Sequence, residues 1–358
     1  MRTKSLIEAR KEINKMLKES RIAGKRQRCA LCGDDSCAFC NSHSIPQFIL
    51  RGIASNGHVL HPSAIVLNED ICEHQDVEKG EYFDTEKGVE NSWTFHNICR
   101  KCDSTYFADY ENEDALKLPF TNKMMAEIAL KVVLHQLDKR AIEIKYYDMM
   151  QNKSHNIEGK EIQDEVQSLD VRDYEFEKRR AQKIIDRNLK SGYKLVFWKK
   201  LPYTVPYVLQ TGVSLQNDIC GKQINDTTNL SPNIRMETLY LVVFPLNGES
   251  VVSVFYHKDD RKYVKFEKEF VCLSEDEKIS FINYTGIKYS ENICASIVMK
   301  KVMKDNERLR QLFSEVNESP RYGMWNLLDI FFYMPVGEKE IPNLLSKEYS
   351  LEHLENKP

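Results

Sequence analysis

The chain has 358 residues, of which 42% are hydrophobic and 29% charged, with a net charge of −3. That length accommodates two or three domains with real cores, and the composition is that of an ordinary soluble protein without a run of about 18 apolar residues to cross a membrane. The basic, polar first residues hold no apolar segment of a secretory signal, so the ten cysteines point to a reducing, cytoplasmic compartment where thiols bind metal or pack.

Leu6, Ile7, Ile13, Met16 and Leu17 form a loose apolar stripe that predicts a helix over 3–20, within an N-terminal segment 1–24. A Cys/His module at 25–118 follows. It carries Cys29-x-x-Cys32, Cys37-x-x-Cys40, Asn41-Ser42-His43 and Cys99-x-x-Cys102-Asp103. A C-x-x-C turn presents two thiolates to one ion, and two such turns close a tetrahedral site. The middle of the module, roughly 68–92, is acidic and glycine-dotted and reads as an inserted loop. Cys72, Cys220, Cys272 and Cys294 lie outside the pairs and read as buried apolar residues.

From Thr121 the spacing of Met124, Met125, Ile128, Val132 and Leu137 predicts a strong helix capped by Thr121 or Asn122. A more charged helix over 160–190 completes a helical segment at 119–190. The remainder, 191–358, switches to strand character. Lys194–Trp198, Tyr207–Leu215 and Thr238–Phe244 are rich in β-branched and aromatic residues, and Asn247-Gly248 is a strong hairpin signal. Phe266–Leu273 reads as one more strand, Ser290–Val316 as a long helix, and Trp325, Leu328 and Phe331 as part of a last helix. The fold class is therefore α+β, with a small zinc-stapled module, a helical segment, an antiparallel sheet domain and C-terminal helices.

Charge is unevenly spread. Residues 1–28 carry ten Lys/Arg against three Asp/Glu, and residues 177–200 carry nine against two. Such stretches either track a phosphate backbone or are solvated helix faces. Trp198, Tyr203 and Tyr207 likewise either stack on bases or fill the sheet core.

Asn41-Ser-His-Ser-Ile-Pro46, Gly57-His58-Val59, Trp93-Thr-Phe95, Cys99-x-x-Cys102-Asp103 and Phe107-x-x-Tyr110-Glu111 together resemble a zinc-containing branch of the HNH (ββα-metal) endonucleases. The resemblance covers roughly residues 27–112. It implies a treble-clef-like module holding structural zinc through Cys29, Cys32, Cys99 and Cys102, with Cys37 and Cys40 as an alternative to the first pair. It further implies His43 as general base, Asp103 as ligand of a catalytic Mg²⁺ or another divalent cation, and Asn91 as the loop buttress, with Asn97 and His96 as alternatives. Glu111 is a second carboxylate candidate. Ser42 occupies the place of the family's second metal ligand, and a hydroxyl is a poor ligand for a hard cation.

The expected function is thus metal-dependent hydrolysis of nucleic-acid phosphodiesters, on DNA rather than RNA, of a kind found in bacterial antiviral defence. A regulatory protein partner or a homo-oligomer would restrain such an activity. The alternative is a catalytically inactive, zinc-stapled nucleic-acid-binding or protein-interaction subunit.

Overall fold

The computed structural model describes residues 6–61, 85–154, 160–290, 292–309 and 341–356. Its centre is a seven-stranded antiparallel sheet in the order β3-β2-β9-β6-β7-β8-β5. The strands are β2 (His58–His61), β3 (Thr85–Gly88), β5 (Tyr193–Leu201), β6 (Tyr207–Val213), β7 (Leu239–Pro245), β8 (Ser250–His257) and β9 (Ile293–Ala295). The Asn247-Gly248 signal is realised as the β7–β8 hairpin: Gly248 takes φ +75°, and Leu246 N–H donates to Glu249 O at 2.8 Å. Pairing also runs across residue 118, because Leu60 of β2 sits opposite Ala295 of β9.

Alternation along the strands creates two cores. On one face Tyr240, Val242, Phe244, Val251 and Phe255 pack against Met124, Met125 and Ile128 of α5 (Asn122–Ser154). On the other face Leu239, Leu241, Val243, Val252 and Val254 meet α7 (Tyr263–Cys272) and α8 (Glu275–Tyr289). Helix α5 is capped by Thr121, whose Oγ1 accepts from Met124 N–H at 3.1 Å. It is buried continuously from 124 to 137, enclosed by the sheet and by the cysteine-bearing segment. Helices α6 (Lys160–Asp186) and α1 (Leu6–Ala23) pack along it. The chain leaves α1 through Gly24, where a Cβ would come within 2.9 Å of the Ala141 carbonyl oxygen.

Several expectations are corrected. Within 68–92, residues 85–91 form β3 and a 3₁₀ turn, Val89–Asn91, rather than loop. Residues 263–272 are helix: Tyr263, Phe266 and Phe270 recur at helical spacing, and all three are fully buried on the second core. Helix α8 opens with a capping box, Ser274 with Glu277, that went unread. The long helix expected from Ser290 is instead β9 followed by the short α9 (Met299–Asp305), because Ile293, Cys294 and Ala295 fill a slot between β2 and β6. Trp325, Leu328, Phe331 and Cys72 lie outside the described residues. Cys220 and Cys272 are exposed; Cys294 is buried.

Candidate metal centre and adjoining polar cluster

Two strands from distant segments pair to build the base of the site. β1 (Ser42–His43) runs antiparallel to β4 (Thr94–Phe95), and the ladder continues outward through Cys40 N–H to Ile98 O and Arg100 N–H to Ala38 O. α3 (Arg100–Tyr106) follows directly, with Cys99 as its N-cap.

Cys29, Cys32, Cys99 and Cys102 converge so that their four sulfurs lie within 4.8 Å of one another. Cys29 and Cys32 come from a tight turn closed by Gly33 N–H to Cys29 O and Cys29 N–H to Asp34 O, both 2.9 Å. Gly33 takes φ +74°, which a glycine adopts without strain. Cys102 arrives from the first turn of α3. The Cys32–Cys99 sulfur separation of 3.9 Å suits a tetrahedral ion, since bonds of about 2.3 Å place sulfurs about 3.8 Å apart. Burial opposes ionisation of Cys29, but N–H groups of Cys32, Leu31 and Cys99 outweigh it and bring the thiol down to about 7. Four soft donors, three of them buried, fit zinc. Cys37 and Cys40 are not in this group; their sulfurs point at the carbonyls of Asp34 and Ile98.

Beside the cysteines lies a polar cluster. Asp103, one residue past Cys102, accepts from Ser42 Oγ at 2.6 Å and from Lys131 Nζ at 2.8 Å. Lys131 also donates to Ser42 Oγ at 2.7 Å and meets Glu111 Oε1 at 3.1 Å. Its ammonium lies 4.1 Å from the Phe107 ring centroid. The lysine side chain is fully buried, whereas those of Asp103 and Glu111 remain 26% and 40% exposed, so the carboxylates form the open side.

Successive strand residues face opposite ways. Ser42 therefore turns to Asp103, and half-buried His43 turns to the Val89 carbonyl, 3.1 Å from its Nε2. Burial lowers the His43 pKa; the Val89 carbonyl raises it, the Lys131 charge lowers it, and Asp103 and Glu111 raise it. A neutral imidazole that donates from Nε2 keeps Nδ1 as a proton acceptor.

The structure thus brings Asp103 and Glu111 together on Lys131, leaves His43 within electrostatic reach of both, and places Asn91 outside the group. Asn91 ends the 3₁₀ turn carrying Val89 and is exposed. Asn97 is buried, its Nδ2 donating to Leu134 O on α5 at 2.7 Å. His96 instead meets Asn41 at 3.2 Å. Lys131 was not foreseen. Asp103 Oδ1, the atom expected to hold a divalent cation, already accepts from an ammonium and a hydroxyl. Among the described residues the four cysteines are the sole cluster of three or more possible metal ligands.

The cluster is anchored to the sheet through Tyr110. Its hydroxyl lies 3.0 Å from Ser44 O and hydrogen-bonds Gln210 of β6, whose Nε2 donates to the same carbonyl at 2.7 Å. Trp93 Nε1 donates to Ile293 O of β9 at 3.1 Å. The basic stretch 177–200 is largely engaged: Lys178, Arg180, Lys194, Lys199 and Lys200 each pair with a carboxylate. Tyr207 is buried in the sheet core.

Compared with protein-family models, curated proteins and solved structures, the chain matches none. No helix among the described residues is long and apolar enough to cross a membrane.

Proposed function

We propose that residues 27–112 form an HNH-like nucleic-acid hydrolase unit, a treble-clef-like ββα fold stapled by zinc, with His43 as its base. One arrangement supports the reading. A half-buried histidine on β1 lies within electrostatic reach of a carboxylate on α3, at a strand–helix junction beside four clustered cysteines. In this mechanism His43, anchored through Nε2 on Val89, takes a proton from water at Nδ1 as the water attacks phosphorus; the P–O bond to the leaving sugar oxygen breaks, and that oxygen takes its proton from solvent water. The remaining requirements are positioning and neutralisation of phosphate charge. DNA is the favoured substrate on the strength of the resemblance.

The test is cleavage of plasmid, single-stranded DNA and RNA by the purified chain and by His43→Ala, with circular dichroism and zinc content matched. Removing a general base should slow cleavage by about 10²–10⁴-fold. Equal rates for the two proteins would overturn the assignment.

The pH profile gives a second check. Val89 bonds His43, the charges of Lys131, Asp103 and Glu111 act on it from nearby, and burial holds its pKa below the ordinary 6.5. The base works only when neutral, so the rate should stay level as pH falls to 6.5 and decline below it. An acid limb centred above 6.5 would contradict this environment.

Lys131 over Asp103 favours a second reading, a binding module without cleavage. Salt-sensitive DNA binding with no product on any substrate would select it.

A further inference from the structure

We infer that Lys131 is an internal cation that stands where a divalent metal would otherwise sit between the strand and helix ligands, so that this centre takes no exchangeable metal. Asp103 and Ser42 occupy the helix and strand positions from which such an ion would be held. The lysine reaches between them from a third element, α5, with its Nζ 2.8 Å from Asp103, 2.7 Å from Ser42 and 3.1 Å from Glu111.

Three acceptors match the three protons of an ammonium. The side chain is fully buried and its charge lies against Phe107, so it cannot withdraw into solvent to make room. Ser42 completes the set. A carboxylate there would serve a dication, whereas a hydroxyl can accept from the ammonium and donate to Asp103 at once. The unexpected Ser42 and the unexpected lysine are thereby one feature. Lys131 is a positioning residue: it fixes both carboxylates on the open side and offsets their charge facing an incoming phosphate.

The binding arm of the test does not depend on the hydrolase reading; the cleavage arm rests on it. Zinc-loaded chain is titrated with Mn²⁺ and followed by electron paramagnetic resonance and by melting temperature. Wild type should bind no Mn²⁺ at this centre. Lys131→Ala, which frees both carboxylates, should bind Mn²⁺ tighter by about a hundredfold, because a positive charge a few ångströms away no longer repels the dication. Lys131→Arg should behave as wild type. Mn²⁺ binding by wild type that disappears in Asp103→Asn, with zinc retained, overturns the inference even if Lys131→Ala does not fold.

In the cleavage arm, zinc-loaded wild type should cut equally with and without added Mg²⁺, and an absolute Mg²⁺ requirement overturns the inference. Absence of cutting in every buffer counts against the hydrolase reading instead, and the Mn²⁺ titration still decides the role of Lys131.

Discussion

Zinc removal is expected to damage this chain more than any single side-chain loss away from the cysteines. The purified protein should carry about one equivalent of zinc, and Cys102→Ser should abolish it. Structural zinc contributes folding free energy directly, with apparent values of about 10–16 kcal/mol in small zinc-binding peptides. Here the ion would join a turn at 29–33 to the start of α3, segments separated by almost seventy residues of chain. Without it, three buried thiols lose their partner, and the β1–β4 ladder keeps only two paired positions. Ile45, Phe95 and Ile98 would then lose their hold on the first core. Metal analysis with calorimetry checks this: Cys102→Ser should melt well below wild type, while Cys37→Ser and Cys40→Ser keep their zinc. A chain free of zinc that melts as the loaded one does would remove the staple from the account.

The cysteine cluster was legible because its information is local. A four-residue knuckle prepares two sulfurs by itself, and Gly33 after Cys32 belongs to the same turn. The place of Asp103 beside the cluster is local too, since it directly follows Cys102; its hydrogen-bond partners are not local. Lys131 was not legible, because its burial is decided elsewhere. By spacing, Lys131 stands three residues after Ile128 and seven after Met124, on the apolar stripe of α5 itself, where a lone lysine looks out of place but names no partner. Burial on all sides arises only when the cysteine module covers one flank and the sheet another. The available signal was Glu127 and Lys131 standing inside an apolar run from Met124 to Leu134. They look like an ordinary i,i+4 pair. In the structure they separate, with Glu127 accepting from Tyr110 N–H at 2.7 Å and Lys131 turning to Asp103.

The sheet divides in the same way. The β7–β8 hairpin is written in one turn, but β9 is three residues long and exists because β2 and β6 leave a slot beside it. Helix α7 was misread because Phe266 and Phe270, four apart, satisfy both an alternating and a helical pattern. Tyr263, three residues before Phe266, decides for the helix. The basic character of 177–200 was correct as composition and incomplete as chemistry, since the carboxylates that engage it come from residues 175, 249, 260, 267 and 275.

One of those carboxylates supports the other large expected effect. Asp260 is fully buried and receives Arg180 through both oxygens, at 2.7 and 2.5 Å, and Arg235 at 2.5 Å. Glu177 closes the group, meeting Arg180 at 2.6 Å and Arg235 at 3.1 Å, with Tyr240 donating to it at 3.1 Å. Burial pushes Glu177 up to about 7. Burial would also raise Asp260, but hydrogen bonds and charge from Arg180 and Arg235 hold it below the usual carboxylate range. Two guanidiniums and two carboxyl groups therefore interlock where α6 meets the end of the sheet.

Asp260→Ala breaks that arrangement by leaving two guanidiniums on one carboxyl group, and should cost about 3–5 kcal/mol in urea unfolding. Removing the pair together, as Arg180→Met with Asp260→Leu, leaves Glu177 and Arg235 still matched. The double variant should therefore lose less than the two single losses combined. Additive losses would mean that each residue acts through its packing alone. A double variant close to wild type would mean that the network's charge is dispensable to stability, and that α6 is held on the sheet mainly by apolar contacts such as Ala181 and Ile184 on the first core.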